Sequence, residues 1–183
     1  MDELVEILDS EGNYTGDTAL KSEAHKKGWF HPTVHIWFFT EDGNVLIQQR
    51  AENKNTFPLL WDVSVAGHIA AGEKIVNAAV REVKEEIGVR IAESDLQKTG
   101  IFKAVHKHQG NLMDCEFHHV FIARLKVPLN SLILQKSEVA AVRLVPILQF
   151  SEETWGLANV KKYVPHGAEY YKTVVKAIMK CLA

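Results

Sequence analysis

GHIAAGEKIVNAAVREVKEEIGV, residues 67–89, joins a glycine-bounded loop to an amphipathic run rich in glutamate. Asn77 to Ile87 reads as a helix that stops at Gly88, a residue suited to the left-handed conformation that closes many helices. At about 100° per residue, Val76, Ala79, Val80, Val83 and Ile87 fall on one face, which packs on a sheet. Glu82, Glu85 and Glu86 stand at i, i+3 and i+4 and share the neighbouring face. The acidic stripe therefore borders the buried one, at the edge of a cleft. Like charges at that spacing cost roughly 0.2–0.5 kcal/mol per pair, and Arg81 and Lys84 read as pointing to the helix flank, where they relieve nothing. The ordinary alternative is a solvated charged face. Converging carboxylates instead suit a hard divalent cation, Mg2+ first and Mn2+ second, and the glycine loop before the helix can add a backbone carbonyl.

Outward from this helix the pattern is strand-rich. Residues 4–8, LVEIL, lead into a turn, and His35 to Phe39 and Val45 to Arg50 flank EDGN. Asp42-Gly43 between such runs predicts a hairpin with a type I′ turn. Further strands are expected at Val63 to Ile69, Gly100 to Val105, Glu116 to Leu125 and Ala140 to Pro146. A connecting helix follows near Leu148 to Phe150, and residues 168–182 place Tyr171, Val174, Val175 and Ile178 at helical spacing. Strands, a helix, more strands and a final helix argue for an α+β fold, a mixed sheet flanked by helices.

The segment 67–89 resembles the Nudix box GX5EX7REUXEEXGU at every fixed position, from Gly67 and Glu73 through Arg81, Glu82, Glu85 and Glu86 to Gly88 and Val89. The resemblance implies the family's α/β/α sandwich as one domain over residues 1–183, with a strand-rich part at 1–66. It implies that Glu82, Glu85, Glu86 and the Gly67 carbonyl hold a metal, that Glu73 and Arg81 form a structural salt bridge, and that a diphosphate is cleaved by metal-activated water. The general base is then Glu85 or Glu86, or Glu116 from a facing strand.

A second resemblance is to the isopentenyl-diphosphate isomerase branch of that superfamily. Arg50-Ala51, Lys54, Phe57-Pro58, Trp61 and Ser64-Val65-Ala66-Gly67-His68 carry it, and Leu134 to Val139, LQKSEV, matches a strand entry near the cleft in stand-alone hydrolases of the branch. By that likeness Lys21, Arg50 and Lys54 contact the substrate diphosphate, and His25, His31 and His68 hold a second metal with Glu116. The isomerase cysteine is replaced by Ala66, whose methyl group cannot exchange a proton, and the full carboxylate set is kept. Hydrolysis is favoured over isomerisation, and over a silent ligand-binding scaffold. His106, His108, His118 and His119 read as solvent-facing or edge residues, and Trp29, Phe30, Trp37 and Trp155 as packing groups.

Composition sets the bounds. The chain has 183 residues, 46% hydrophobic and 24% charged, with a net charge of −2 and a pI near 6.5. That balance gives no electrostatic footprint for nucleic acid or an anionic membrane, so a small-molecule diphosphate is the expected partner. Cys115 and Cys181 are too few and too far apart for a disulfide scaffold or a zinc site. MDELVEILDSEG lacks the basic and apolar regions of a signal peptide, and no stretch reaches the roughly 18 apolar residues of a membrane span. A cytoplasmic protein is expected; the oligomeric state is left open by the sequence, with a homodimer, frequent in the resembled family, as one assembly.

Overall fold

Alternate side chains of the strand His31–Phe39 serve two different layers, and this strand organises the molecule. Val34, Ile36 and Phe38 enter one core with Leu46, Val65, Ala78, Ala79, Val83 and Ile87. Trp37 and Phe39 enter another with Val120, Ile122, Phe150, Tyr170, Tyr171 and Val174. Each such side chain is worth roughly 1.5–3 kcal/mol when fully buried, so both faces of the strand must be covered. His31, Thr33 and His35 share the Trp37 face, and they are buried too. That stretch of polar residues in a buried strand marks where the site lies.

The computed structural model describes residues 2–108, 110, 112–156, 158 and 161–183. The first half runs β1 (Leu4–Leu8), β2 (Tyr14–Leu20), α1 (Lys21–Lys27), β3 (His31–Phe39), β4 (Asn44–Arg50), β5 (Trp61–Asp62) and β6 (Val65–His68). Then come α2 (Ile75–Ile87), β7 (Gln97–Lys107), β8 (Met113–Arg124), β9 (Val139–Pro146), α3 (Ile147–Thr154) and α4 (Ala168–Leu182). β1 and β2 form a separate antiparallel pair. The main sheet has the order β5-β4-β3-β8-β7, with β6 on β3 and β9 on β4. α2 covers one face and α3 with α4 the other, the helix-flanked mixed sheet of the α+β expectation. Among the described residues, no helix is long and apolar enough to cross a membrane.

Three features differ from the sequence expectation. The hairpin between β3 and β4 closes with a three-residue loop: Thr40 N–H donates to Asn44 O at 2.9 Å, and of Glu41, Asp42 and Gly43 only Gly43, at φ 80°, is left-handed. A type I′ turn needs positive φ at both central residues, and Asp42 lacks it. β2 and α1 have no counterpart in the sequence reading. β2 buries only Ala19 and α1 only Ala24, so neither shows an apolar period.

The sheet register builds the site. β3 lies parallel to β8, pairing His31 with Glu116 and Thr33 with His118. On its other edge β6 runs antiparallel, pairing Thr33 with His68 and His35 with Ala66. β3 and β4 share only the pair Phe39 with Val45, after which β4 turns to β5 and β9.

Candidate active site

A cavity of about 690 Å3 is lined by Gly67, His68, Glu82, Glu85, Glu86 and Glu116, among others. It is polar through most of its wall. α2 brings the three glutamates to it because its apolar stripe, Ala79, Val83 and Ile87, is pinned on the sheet and fixes the helix rotation. Gly88 closes the helix at φ 73°, its N–H donating to Lys84 O at 3.1 Å.

The three carboxylates are not equivalent. Glu86 is buried and accepts from Gln48 Nε2 at 2.9 Å and from Ala66 N at 3.3 Å, both on Oε2. Burial, with the neighbouring Glu82 charge, pushes its carboxyl up to about 8. Burial raises Glu82 to about 7 against the pull of Arg81. Glu85 is half exposed, at 50% of its side chain. Gly67 presses on this group: a Cβ there would lie 2.0 Å from Glu82 Cδ. Only glycine permits that approach of β6 to α2.

Arg81 does not point away to the flank. Its Nε and NH2 donate to Glu73 Oε1 and Oε2 at 2.9 Å each, and NH2 also reaches His68 O at 3.0 Å. Its NH1 donates to Glu82 Oε1 at 2.7 Å and to Glu85 Oε2 at 3.1 Å. One guanidinium thus braces the loop, the strand end and two glutamates. The fork geometry of arginine makes this reach available.

A second group lies beside the first. Nε2 of His25, His31 and His68 stand 3.7, 3.5 and 3.6 Å from Glu116 Oε1, and the four ligand atoms all lie within 4.8 Å of one another. His31 Nδ1 is held at 3.0 Å by Trp29 O. Asp114 Oδ1, a residue the sequence reading passed over, lies 3.6 Å from His25 Nδ1. Burial pushes Glu116 up, but the His31 and His68 imidazoles outweigh it and hold the carboxyl well below the usual range. His68 Nε2 is buried with no hydrogen-bond partner among the described residues. Converging nitrogens around one carboxylate oxygen form a donor set fit for a divalent metal.

A family model for the NUDIX domain matches residues 29–166 of the chain. The chain belongs to the Nudix family. It is by class a Nudix-type pyrophosphohydrolase. Nudix hydrolase 3 of Arabidopsis thaliana is 34% identical over 153 residues, covering 81% of this chain, which spans only 20% of that protein. An uncharacterised Nudix hydrolase of Clostridium acetobutylicum is 33% identical across 97% of this chain and 98% of its own. An isopentenyl-diphosphate Delta-isomerase of Photorhabdus laumondii is 35% identical over 81% of this chain and 80% of its own, which supports the isomerase-like branch. A crystal structure of a Deinococcus radiodurans protein superposes with a TM-score of 0.70 at 19% identity, covering 93% of this chain and 98% of that one.

The remaining residues of this Nudix site divide cleanly. Lys21, Arg50 and Lys54 all line the cavity, and each has an acidic partner: Lys21 with Glu3 at 3.4 Å, Arg50 with Asp62 at 2.9 Å, and Lys54 with Glu138. Gln135, Ser137 and Glu138 of the LQKSEV segment line it as well, ahead of β9. Ala66 also sits in the wall. None of Trp29, Phe30, Trp37 and Trp155 lines it; Trp37 and Trp155 pack in the core, whereas Trp29 is exposed beneath Lys27. Both cysteines are free, Cys115 buried and Cys181 partly so.

The later histidines are not the solvent-facing or edge residues that the sequence suggests. His118 and His119 are buried, because β8 runs between β3 and β7 and has no solvent edge. His108 Nε2 pairs with Asp114 Oδ2 at 2.9 Å, and His106 lines the cavity. Two sets of long-range polar contacts have no signal in the sequence: Arg50 NH1 to Asp62 Oδ2 with Asp62 Oδ1 to His166 Nε2 at 2.7 Å, and separately His35 Nδ1 to Tyr170 OH at 2.7 Å. His35 and His118 stack with ring centroids 4.0 Å apart.

Proposed function

We propose that the protein is a Mg2+-dependent hydrolase, active also with Mn2+, that cleaves the diphosphate linkage of a small molecule. The observation that carries this is the meeting of Glu82, Glu85 and Glu86 at one cavity beside Gly67, where a Cβ would lie 2.0 Å from Glu82 Cδ. In this reading Glu82, Glu85, Glu86 and the Gly67 carbonyl hold the metal, and His25, His31, His68 and Glu116 hold a second. Bound divalent metal supplies charge neutralisation for the diphosphate and acidifies water.

The chain's own residues do the rest. Lys21, Arg50 and Lys54 line the wall from which they neutralise and orient the diphosphate. The new O–P bond from water replaces the bridging P–O bond, the leaving phosphate departs, and the water proton passes to a box carboxylate. Glu85, half exposed, can return that proton to solvent, with Glu86 behind it. Glu116 stands on the facing strand among the imidazoles of His25, His31 and His68 and is the other candidate base. Isomerisation would require an acid at Ala66, and a methyl group supplies none.

The test is phosphate release from nucleoside, sugar, dinucleotide and prenyl diphosphates with and without Mg2+, beside Glu85→Gln and Glu86→Gln. Turnover should require the metal and fall by about 100-fold or more in both variants. Wild-type rates in both variants, on every substrate turned over, would remove the metal helix from the reaction.

A further inference from the structure

The parallel register of β3 and β8 sets Thr33 opposite His118 and His35 opposite Val120, so His35 and His118 lie diagonally on neighbouring strands. Their rings stack with centroids 4.0 Å apart and 21° between planes. His166, just ahead of α4, meets both edge-on, at 70° to His35 and 88° to His118. One ring nitrogen of each residue lies within 4.8 Å of the other two.

The opposite nitrogen of every ring is held by an oxygen. Asp62 Oδ1 lies 2.7 Å from His166 Nε2, Thr33 Oγ1 lies 2.7 Å from His118 Nδ1, and Tyr170 OH lies 2.7 Å from His35 Nδ1. A carboxylate or hydroxyl oxygen can accept an imidazole N–H, which leaves a lone pair on the far nitrogen. Those far atoms are His166 Nδ1, His118 Nε2 and His35 Nε2. His166 Nδ1 and His118 Nε2 are buried with no hydrogen-bond partner among the described residues, on side chains that are each 5% exposed. An oxygen on one nitrogen and an ion on the other is the arrangement of metal-binding histidines, with the carboxylate partner of His166 its commonest form.

Solvent does not reach these two free nitrogens, so no hydrogen-bonding ligand pairs them. A cation bonds imidazole at about 2.0–2.1 Å, well inside hydrogen-bond distance, and needs only the space between the rings. Tetrahedral ligation at that bond length sets the nitrogens about 3.4 Å apart, so atoms that stand within 4.8 Å close in slightly. His35 and His118 fan open at one edge to share the ion, and His166 crosses them. Near-parallel planes do not prevent convergence, since His31 and His68 lie 16° apart and both bring Nε2 close to Glu116 Oε1. All three histidines line the large cavity, which gives an ion its way in.

We propose that His35, His118 and His166 bind a transition-metal ion, at a site separate from the α2 carboxylates and from the cluster around Glu116. The set is three neutral nitrogens with no carboxylate ligand. It therefore takes Zn2+ or Co2+ in preference to Mg2+, and Mn2+ more weakly than either. Bound there, the ion ties β3, β8 and the segment entering α4 to one point. The site stands whether or not the protein hydrolyses diphosphates.

Equilibrium dialysis against Co2+ in excess Mg2+, which fills the α2 carboxylates, counts the ions held per chain. The wild type should hold two, one in each histidine group. His166→Gln keeps an amide near Nε2 for Asp62 and deletes Nδ1, whereas His118→Asn keeps one near Nδ1 for Thr33 and deletes Nε2. Each should hold one ion. His68→Ala should also hold one, and Zn2+ at about 100 times its Kd should still raise its melting temperature by about 5–10 °C. That rise should vanish in His68→Ala/His166→Gln. Two ions retained by both His166→Gln and His118→Asn would overturn the site, as would a single wild-type ion that His68→Ala removes. Anomalous scattering from wild-type crystals grown with Co2+ needs no variant to fold. A peak between the three rings sustains the site, and its absence beside a filled Glu116 cluster overturns it.

Discussion

Arg81 grips Glu73 with two parallel hydrogen bonds, Nε to Oε1 and NH2 to Oε2, both at 2.9 Å. The pair spans the loop between β6 and α2, and it sets the entry of the carboxylate helix. Both side chains are partly exposed, at 29% and 18%, so screening reduces its worth well below that of a buried pair. We expect Arg81→Lys to lose the fork and to destabilise the fold by about 1–2 kcal/mol. A double-mutant cycle with Glu73→Gln, read by urea unfolding, measures the coupling. A coupling indistinguishable from zero would mean that the bridge does not brace the loop.

Gly67 offers a sharper cut. Alanine there places a Cβ 2.0 Å from Glu82 Cδ, so either the strand or the carboxylate must move. The fold survives a local shift, but the ligand set does not keep its spacing. Gly67→Ala should leave the circular dichroism spectrum intact and weaken Mg2+ binding by roughly 10–100-fold, the range seen when a ligand's support is lost. Unchanged thermal stabilisation by Mg2+ would show that Gly67 and Glu82 lie outside the metal site.

Asp62 carries a pH signature. Burial raises its carboxyl, but His166 and Arg50 more than reverse this and hold it well below the usual range. The folded value is therefore depressed relative to the unfolded value of about 3.9. Its contribution to stability is fully present above that value and is lost as pH falls below it. Asp62→Asn should melt well below wild type at pH 7, by about 3–5 kcal/mol for breaking a buried pair. The gap should narrow below about pH 4. A gap that stays constant down to pH 3 would separate Asp62 from this ion pair.

The carboxylate helix was legible in the sequence because helical spacing is local. Glu82, Glu85 and Glu86, the apolar stripe and the Gly88 stop all lie within one short segment. Gly67, Glu73 and Arg81 were legible as a motif, though the reach of Arg81 to Glu82 and Glu85 was not, since a long side chain can fold back along its own helix. The histidine wall was invisible for another reason. His166 meets Asp62 across 104 positions, and His35 meets Tyr170 across 135. Buried on both faces, β8 shows no alternation that would sort His118 from His119. α1 was missed because seven residues with one buried alanine carry no period, yet it delivers His25.

Tyr170 links the site to the core. Its hydroxyl accepts from Trp37 Nε1 at 2.9 Å and meets His35 Nδ1 at 2.7 Å, with all three residues buried. Tyr170→Phe keeps the ring and removes the oxygen, leaving two polar groups unpaired. The expected loss is about 1–3 kcal/mol in urea unfolding. A neutral result would mean that the indole and imidazole find other partners.

The last prediction concerns how many metals bind. The group at Glu82, Glu85 and Glu86 is all oxygen, whereas His25, His31, His68 and Glu116 offer three nitrogens and one oxygen. Imidazole favours transition metals over Mg2+, so the two groups should separate by metal type. Calorimetric titration with Mn2+ is expected to give two sites, and Mg2+ one. His68→Ala should abolish one Mn2+ site and leave the Mg2+ site in place, because the His68 ring approaches Glu116 and not the α2 carboxylates. Glu86→Gln should do the reverse. Melting curves of His68→Ala recorded beside the titration separate a lost ligand from unfolding, since the His68 ring also packs on His31 and faces Glu116. A single Mn2+ site in the wild type, or two sites that survive both His68→Ala and Glu116→Gln, would leave the histidine cluster without a metal role.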